Sequence, residues 1–504
     1  MLDGFFGPDR RGSGPFLALI CAPLLFYGGS AVAAPLFGAP STYHVDGSPV
    51  SVGAIEIDRQ LGLDLVIGNE LGDEGPSVSL FLNRGQGSFF PERRINLNGT
   101  RFTLHAIAVG DFNGDGAGDF AVAVDDIGST PIRTTVLVYR NDGSGNFNTA
   151  PTELALGGFF PQCLVAGDVT NDGVTDLVVC DGTVTAQGDP LGLITVLTGA
   201  GNGTFRIGSP IIVGSAPASA AIGNVDGDTF IDLVVADPDE GSVSILYGNG
   251  SANLFAAPAT LSDSIKGPSA VLVGDIGNGG LPEVMVTSSP PPSQLLIYSQ
   301  SSARTFTDPP AAVPVGFLPS AMAQAKFTAD DVADLVILTR QGIELFRGTG
   351  TGFTLGEIVR LDGSDFDSLA VGNLNADNKP DVAAVSSLSE QLSVVLNGTN
   401  APPTPGPTFT ATATPRTMAP TPTRTRTSVV RNPTATRTAT PTPTITRTPS
   451  GPGDANCDGF INQADVDGVI TRIFVPGCSA ADVNNDGRVN AVDLLLIIQM
   501  VAGA

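Results

Sequence analysis

Tryptophan is absent from this 504-residue chain, and histidine is nearly so, with only His44 and His105. With so few imidazoles, and no basic residue paired to a recognisable acid outside the repeats, general acid–base catalysis has little to work with. The broadest ring for stacking on a sugar is missing too, although five tyrosines remain for that part. Cysteine is sparse, at five, and no spacing among them resembles a zinc site. Positive charge is scarce: 25 Lys and Arg stand against 50 Asp and Glu, a formal net charge of −25. Six arginines lie between residues 400 and 453, where no acid occurs, and setting their charge aside leaves about −31 on the rest. So acidic a body excludes nucleic acid and anionic membranes as partners and suits the loading of cations, the alternative being that acidity merely keeps an exported protein soluble. The apolar run Phe16 to Tyr27 is too short, and too interrupted by Pro23, to span a membrane. Helical periodicity is missing before the last fifty residues.

What the chain does have is one pattern written repeatedly. In Val109 to Val124, VGDFNGDGAGDFAVAV, a short apolar run enters a loop where Asp111, Asn113, Asp115 and Asp119 alternate with small residues, and a second apolar run leaves it. Oxygen ligands at positions 1, 3, 5 and 9 of a tight Gly-containing loop suit a hard cation that takes many oxygens, which is Ca2+. Aligning on the closing acid gives Asp64, Asp119, Asp176, Asp232, Glu283, Asp334 and Asp381, at intervals of 47 to 57 residues. A period of this size, with strands of the DLVVAD kind after each acid and a second strand running to a Gly-rich turn and a Phe, predicts four short strands per repeat. The fold class expected is all-β, a seven-bladed propeller over residues 34–399. The turn Phe precedes the next closing acid by 27 to 30 residues, but the seventh repeat ends without one, while Phe37 stands 27 residues before Asp64. The segment from about Phe37 to Val45 is therefore expected to supply the outer strand of the last blade and close the ring.

The loops differ in quality. Side-chain oxygens are well placed in the second loop, in the third (Asp168, Thr170, Asp172, Asp176), in the fourth (Asn224, Asp226, Asp228, Asp232) and in the seventh (Asn373, Asn375, Asp377, Asp381). The first, Glu56/Asp58/Gln60/Asp64, is marginal, and the fifth, Asp275/Gly277/Gly279/Glu283, has lost ligands. The sixth opens with Lys326, whose ammonium is expected to take a cation's place. The competing reading of each loop is a solvated turn rich in Asp and Asn.

Residues 1–33 read as an export signal, with Arg10 and Arg11 before the apolar run and Ala31-Val32-Ala33 as a small-residue cleavage site. An oxidising compartment, outside the cell or at its surface, is the destination this implies. Cys163 and Cys180 flank the third loop at nearly equal distances, so a cross-strand disulfide is feasible, and Cys457 and Cys478 form a second local pair; four free buried thiols are the alternative. Residues 400–453 are Thr/Pro/Arg repeats such as TPTRTRT, too poor in apolar residues to bury a core, and are expected to be a disordered, extended spacer.

Residues 454–504 form a second calcium module. Asp454, Asn456, Asp458, Asn462 and Asp465 occupy positions 1, 3, 5, 9 and 12 of DANCDGFINQAD, and Asp482, Asn484, Asp486, Asn490 and Asp493 repeat them in DVNNDGRVNAVD. Gly459 and Gly487 hold the sharp turn at position 6, and position 7 offers the carbonyls of Phe460 and Arg488. No helix precedes the first loop, because Gly451-Pro452-Gly453 does. After it, Val466, Val469, Ile470, Ile473 and Phe474 make one apolar helical face.

The repeats resemble the FG-GAP or VCBS repeats of integrin α-subunit-type propellers. That resemblance implies a metal-binding carbonyl at position 7 of each good loop, here Ala117, Val174, Phe230 and Lys379. It also implies that the ring is a binding platform, although some members are polysaccharide lyases. The last fifty residues resemble a type I dockerin, which implies a cohesin-like partner docked on residues 454–504, with Gln463-Ala464 and Ala491-Val492 at the positions that choose it. The reading preferred is a secreted or cell-surface, monomeric, non-catalytic binding or adhesion protein. Its propeller displays a face for a glycan or protein ligand, and its tail attaches it to a scaffold. The alternatives are a polysaccharide-degrading enzyme on the same ring and a structural surface-layer component.

Overall fold

The strands that leave the acidic loops, Asp64–Asn69, Asp119–Asp126, Asp176–Val184, Asp232–Asp237, Glu283–Ser288, Asp334–Thr339 and Asp381–Ser386, are buried along nearly their whole length. That explains why they read as continuous Val, Leu, Ile and Ala runs and not as alternating ones: each lies between two neighbouring sheets and has no solvent face. The computed structural model describes residues 35–398, apart from 61, 71–74, 98–100, 148–149, 186–187, 251–253, 263–264 and 278–279. The expected signal (1–33), linker (400–453) and second calcium module, with Asp454 to Asp493, Cys457 and Cys478, lie outside the described residues.

Among the described residues, seven antiparallel blade sheets follow one another along the chain, each built on a meander of three consecutive strands, with the outer strand next in sequence except in blades five and seven. Blade two shows the pattern: Phe102–Gly110, Asp119–Asp126, Arg133–Tyr139 and Thr152–Ala155, paired in that order. The first strand of every blade lies beside the first strands of both neighbours, so these strands form the inner wall of a ring. Between successive blades sits one apolar cluster, seven in all among the described residues, and the cluster of Leu65, Ile67, Ala383, Val385 and Val394 joins blade seven back to blade one. The core is thus a closed succession of blade-to-blade contacts.

Ring closure is made by strand Ser41–His44, which pairs antiparallel with Gln391–Val395, Ser41 opposite Val394 and His44 opposite Gln391. Gly38 N–H donates to Leu396 O (2.9 Å), Val45 N–H to Glu390 O (2.9 Å) and Gly398 N–H to Leu36 O (2.8 Å), so both ends of the described chain share one sheet. The recurring Phe has a single structural address. Phe37, Phe89, Phe147, Phe205, Phe255, Phe306 and Phe353 pair with Asn397, Asn83, Asn141, Gly199, Gly248, Gln300 and Gly348, which end the third strand or lie two residues past its end. Blade five departs from the others: Phe306 belongs to a separate hairpin, Gln300–Ser302 with Thr305–Phe306, and the outer strand is Ala311–Pro314. Cys163 and Cys180 are cross-strand partners joined by a disulfide, S–S 2.02 Å.

Candidate metal centre

Each acidic loop spans the hairpin between the first two strands of a blade, and its closing acid lies in register with the last residue of the first strand, as in Gly110 opposite Asp119 or Gly372 opposite Asp381. Sequence reasoning assigns this acid to the metal. The structure gives it a further task, because its two oxygens clamp two backbone segments. Asp119 Oδ2 accepts the N–H of Phe112 at loop position 2 (3.0 Å), and Oδ1 accepts that of Asn141, two residues past the third strand (2.7 Å). The same pair holds Asp64 (Ile57 N, 2.8 Å; Asn83 N, 2.6 Å), Asp176 (Val169 N, 3.0 Å; Gly199 N, 2.8 Å), Asp232 (Val225 N, 2.6 Å; Gly248 N, 2.8 Å) and Asp381 (Leu374 N, 2.8 Å; Asn397 N, 2.7 Å). Burial pushes the carboxyls of Asp64, Asp119 and Asp381 up to about 6 and raises those of Asp176 and Asp232, against the lowering effect of these N–H donors. A nearby cation favours the charged carboxylate; in Asp64 and Asp119 each oxygen accepts one N–H and keeps a second lone pair for it, while Oδ2 of Asp176 also accepts Thr170 N (3.0 Å) and Oδ2 of Asp232 also accepts Asp226 N (3.3 Å).

At positions 1, 3 and 5 the oxygens turn into the loop. Asp111 Oδ1 accepts from Gly114 N (2.7 Å) and Oδ2 from Gly116 N (2.8 Å), while Asn113 Oδ1 accepts from Asp115 N (2.9 Å) and Asp115 Oδ1 from Ala117 N (2.8 Å). Asp168 Oδ2 takes Gly173 N (2.7 Å), Asp172 Oδ1 takes Val174 N (2.9 Å), and Asn373 and Asn375 both accept from Asp377 N (3.1 Å). The oxygens at these positions are held by the loop's own N–H groups, and the donor sets of loops two, three and seven are oxygen throughout, the type calcium takes, although among the described residues only loop one brings three carboxylates within 4.8 Å of one another. Gly118 allows loop two to meet loop one: its N–H donates to Glu56 O (2.7 Å), and a Cβ there would stand 2.6 Å from that oxygen.

Three loops differ from expectation. In loop one, judged marginal, Glu56, Asp58 and Asp64 bring ligand atoms within 4.8 Å of one another, and Glu56 Oε1 is buried without a hydrogen-bond partner. In loop six, Lys326 does not occupy a cation's place. Its Nζ is 3.4 Å from Asp331 Oδ1 on an exposed side chain, and it is the Thr328 hydroxyl that closes the loop, on Asp334 Oδ2 (2.9 Å) and Asp330 Oδ1 (3.0 Å). In loop four, Asp226, expected to face a metal, is ion-paired with Arg304 of the blade-five hairpin, Nη2 to Oδ2 2.5 Å. In the described part of loop five, Asp275 caps Gly277 N (2.8 Å) and Glu283 holds Ile276 N (3.0 Å).

Sequence reasoning also missed a clasp between blades. Asn141 Nδ2 donates to Gly118 O of its own loop (3.1 Å) and to Ile57 O of the preceding one (2.7 Å). Asn83 bridges Leu63 O (2.8 Å) and Leu374 O (2.7 Å), Gln300 bridges Pro282 O (2.9 Å) and Val225 O (2.6 Å), and Asn397 reaches Phe327 O (2.8 Å). The available signal was an amide just past the third strand in FLN, VYRN, IYSQ and VVLN. Of the two histidines, His44 Nδ1 lies 3.2 Å from Glu390 O at the closing strand, and His105 Nε2 lies 3.1 Å from Asp125 Oδ2 beside Phe160.

Residues 62–122 match the FG-GAP-like repeat, and residues 452–502 match the dockerin type I domain. The chain is 24% identical over 209 residues to integrin alpha-V of Gallus gallus, a match that takes in 36% of this chain and 19% of that protein. It therefore spans about a fifth of that relative's length. The described residues thus form a seven-bladed propeller that is similar, over residues 62–122, to the FG-GAP-like repeat, and residues 452–502 of the same chain are similar to the dockerin type I domain.

Proposed function

We propose that this is an exported, calcium-binding, non-catalytic binding or adhesion protein: the ring presents a ligand face, residues 400–453 space it, and residues 454–504 dock on a cohesin-type partner. The observation that carries the reading is the pairing, in one chain, of an FG-GAP-like ring with a dockerin type I match. Calcium, when bound, supplies a centre of positive charge for the acids of a loop. Asp111, Asn113, Asp115 and Asp119 in loop two, and their counterparts in loops three and seven, would hold it with Ala117, Val174 and Lys379 carbonyls. Glu56, Asp58 and Asp64 form an acidic triad that fits the same role. What the protein's own residues contribute is rigidity, since the closing acids tie loops to the third-strand side of their own blades and the amides of Asn83, Asn141, Gln300 and Asn397 tie loops seven, one, four and six to the next blade.

The full chain, with and without calcium, should be retained on a glycan or protein array without releasing product from polysaccharides. Release of unsaturated oligosaccharides would replace this reading with that of a lyase. Calcium-dependent capture of a cohesin domain, lost on substituting Asp454 and Asp482, tests the docking half separately.

A further inference from the structure

Loop four has the same kind of donor set as loops two, three and seven, yet a protein cation stands against it. The guanidinium of Arg304 places Nε 2.6 Å and Nη2 2.5 Å from Asp226 Oδ2, with Nη2 also 3.8 Å from Asp228 Oδ2. The remaining oxygen of Asp226 accepts Asp228 N–H (3.1 Å), so both oxygens of this nearly buried carboxylate are engaged. The arginine is delivered by a specific device, the extra hairpin that blade five inserts before its outer strand. Gln300 pins that hairpin to loop four through Val225 O (2.6 Å) and to its own loop through Pro282 O (2.9 Å), and its Oε1 accepts Arg304 N–H (3.0 Å). Arg304 itself takes a left-handed backbone conformation, φ 61°, and its guanidinium lies 4.2 Å from the centre of the Tyr247 ring. Cation, ring and carboxylate thus form a stack that needs no ion from solvent.

We propose that Arg304 is the resident cation of loop four and that blade four takes no calcium. A divalent ion coordinated by Asp226 and Asp228 at the usual 2.3–2.6 Å would have to displace the guanidinium or sit within its repulsion. Loop two shows the contrast: Arg59 approaches it, but Nη2 donates to Asp115 O (2.9 Å) and stays 4.0 Å from the nearer carboxylate oxygen, on an exposed side chain. Position 3 completes the argument. It is neutral in the other well-furnished loops (Asn113, Thr170, Asn375) and an acid at Asp226, where a fixed arginine faces it; loop one also has an acid there, Asp58, grouped instead with Glu56 and Asp64.

The inference rests on the reading that neighbouring loops take calcium, and the test separates the two. Bound calcium is counted on the full-length protein by equilibrium dialysis with metal analysis, for wild type, Asp115→Asn, Asp226→Asn and Arg304→Met. Asp115→Asn should lose about one equivalent; if it does not, the reading of loop two fails while blade four is still judged by the other variants. Asp226→Asn should bind as much as wild type, and a loss of one equivalent overturns the proposal. Arg304→Met should gain one equivalent, and no gain overturns the assignment of Arg304 as the excluding cation. If Arg304→Met does not fold in chelator, its folding should be restored by calcium, which a merely structural arginine would not allow.

Discussion

The amide clasp at Asn141 lends itself to a calculation. Its side chain is buried, with Nδ2 donating to Ile57 O and Gly118 O and Oδ1 accepting from Gly143 N (3.1 Å) and Gly145 N (3.0 Å). Asn141→Ala removes four hydrogen bonds, each worth about 1 kcal/mol net, so the expected loss is about 4 kcal/mol. With an unfolding entropy of roughly 2.1 cal/mol/K per residue, a cooperative ring of this size should lose about 5 °C in Tm. Asn141→Asp keeps the shape and the acceptor but sets a carboxylate against two carbonyl oxygens where an NH2 group donated. It should therefore cost more than alanine at neutral pH, by about 2 kcal/mol or more, because one oxygen of a buried anion then faces two carbonyl oxygens with no donor. Acidification should narrow the gap, since a protonated carboxyl regains one donor. The assay is urea denaturation of both variants at neutral and mildly acidic pH. If Asn141→Asp proved as stable as wild type at neutral pH, the donor assignment and the clasp built on it would be wrong.

Four further outcomes follow from the same structure. Burial pushes the Asp181 carboxyl up to about 7, with the Thr134 hydroxyl opposing and the Asp125 charge adding to the rise. The folded chain therefore holds a proton that the unfolded chain has lost between about pH 4 and 7, so stability falls as pH rises through that window, by about 1.4 kcal/mol per unit. Asp181→Asn should flatten that part of the pH–stability curve, and an unchanged slope would count against the assignment. Replacing Cys163 and Cys180 together should cost about 3 kcal/mol, the value for a loop of their 17-residue separation, with the far-UV spectrum retained. Chelation should lower the Tm of the full chain, and Asp111→Ala should shrink that shift without abolishing it, because loops three and seven remain. Chelation should also remove the helical circular-dichroism signal of residues 454–504, and persistence of that signal would argue against both C-terminal loops as calcium sites.

Repetition made the fold legible. Seven acids in phase with seven apolar runs define blades without any contact being known, because a strand buried on both faces must be apolar throughout and a loop that turns sharply must carry Gly, Asn or Asp. The closing strand was legible for a related reason: the Phe missing after Leu392–Asn400 stands at Phe37, and an unpaired sheet edge is costly. The amide clasps were harder to see, since their signal is a single residue at a strand end, and the two carbonyls each one joins belong to loops far apart in sequence.

What the sequence alone decided is the ring, its period, its closure and the oxygen-rich chemistry of its loops, all consequences of local spacing and of the need to bury apolar strands. Which oxygens converge was decided only in three dimensions. Glu56, Asp58 and Asp64 come together although their loop looked marginal, while Asp226 meets an arginine 78 residues further along the chain. The physical reason is that a ligand set is a property of position in space, and a side chain from the next blade can satisfy or cancel a charge that no local reading of the loop would show.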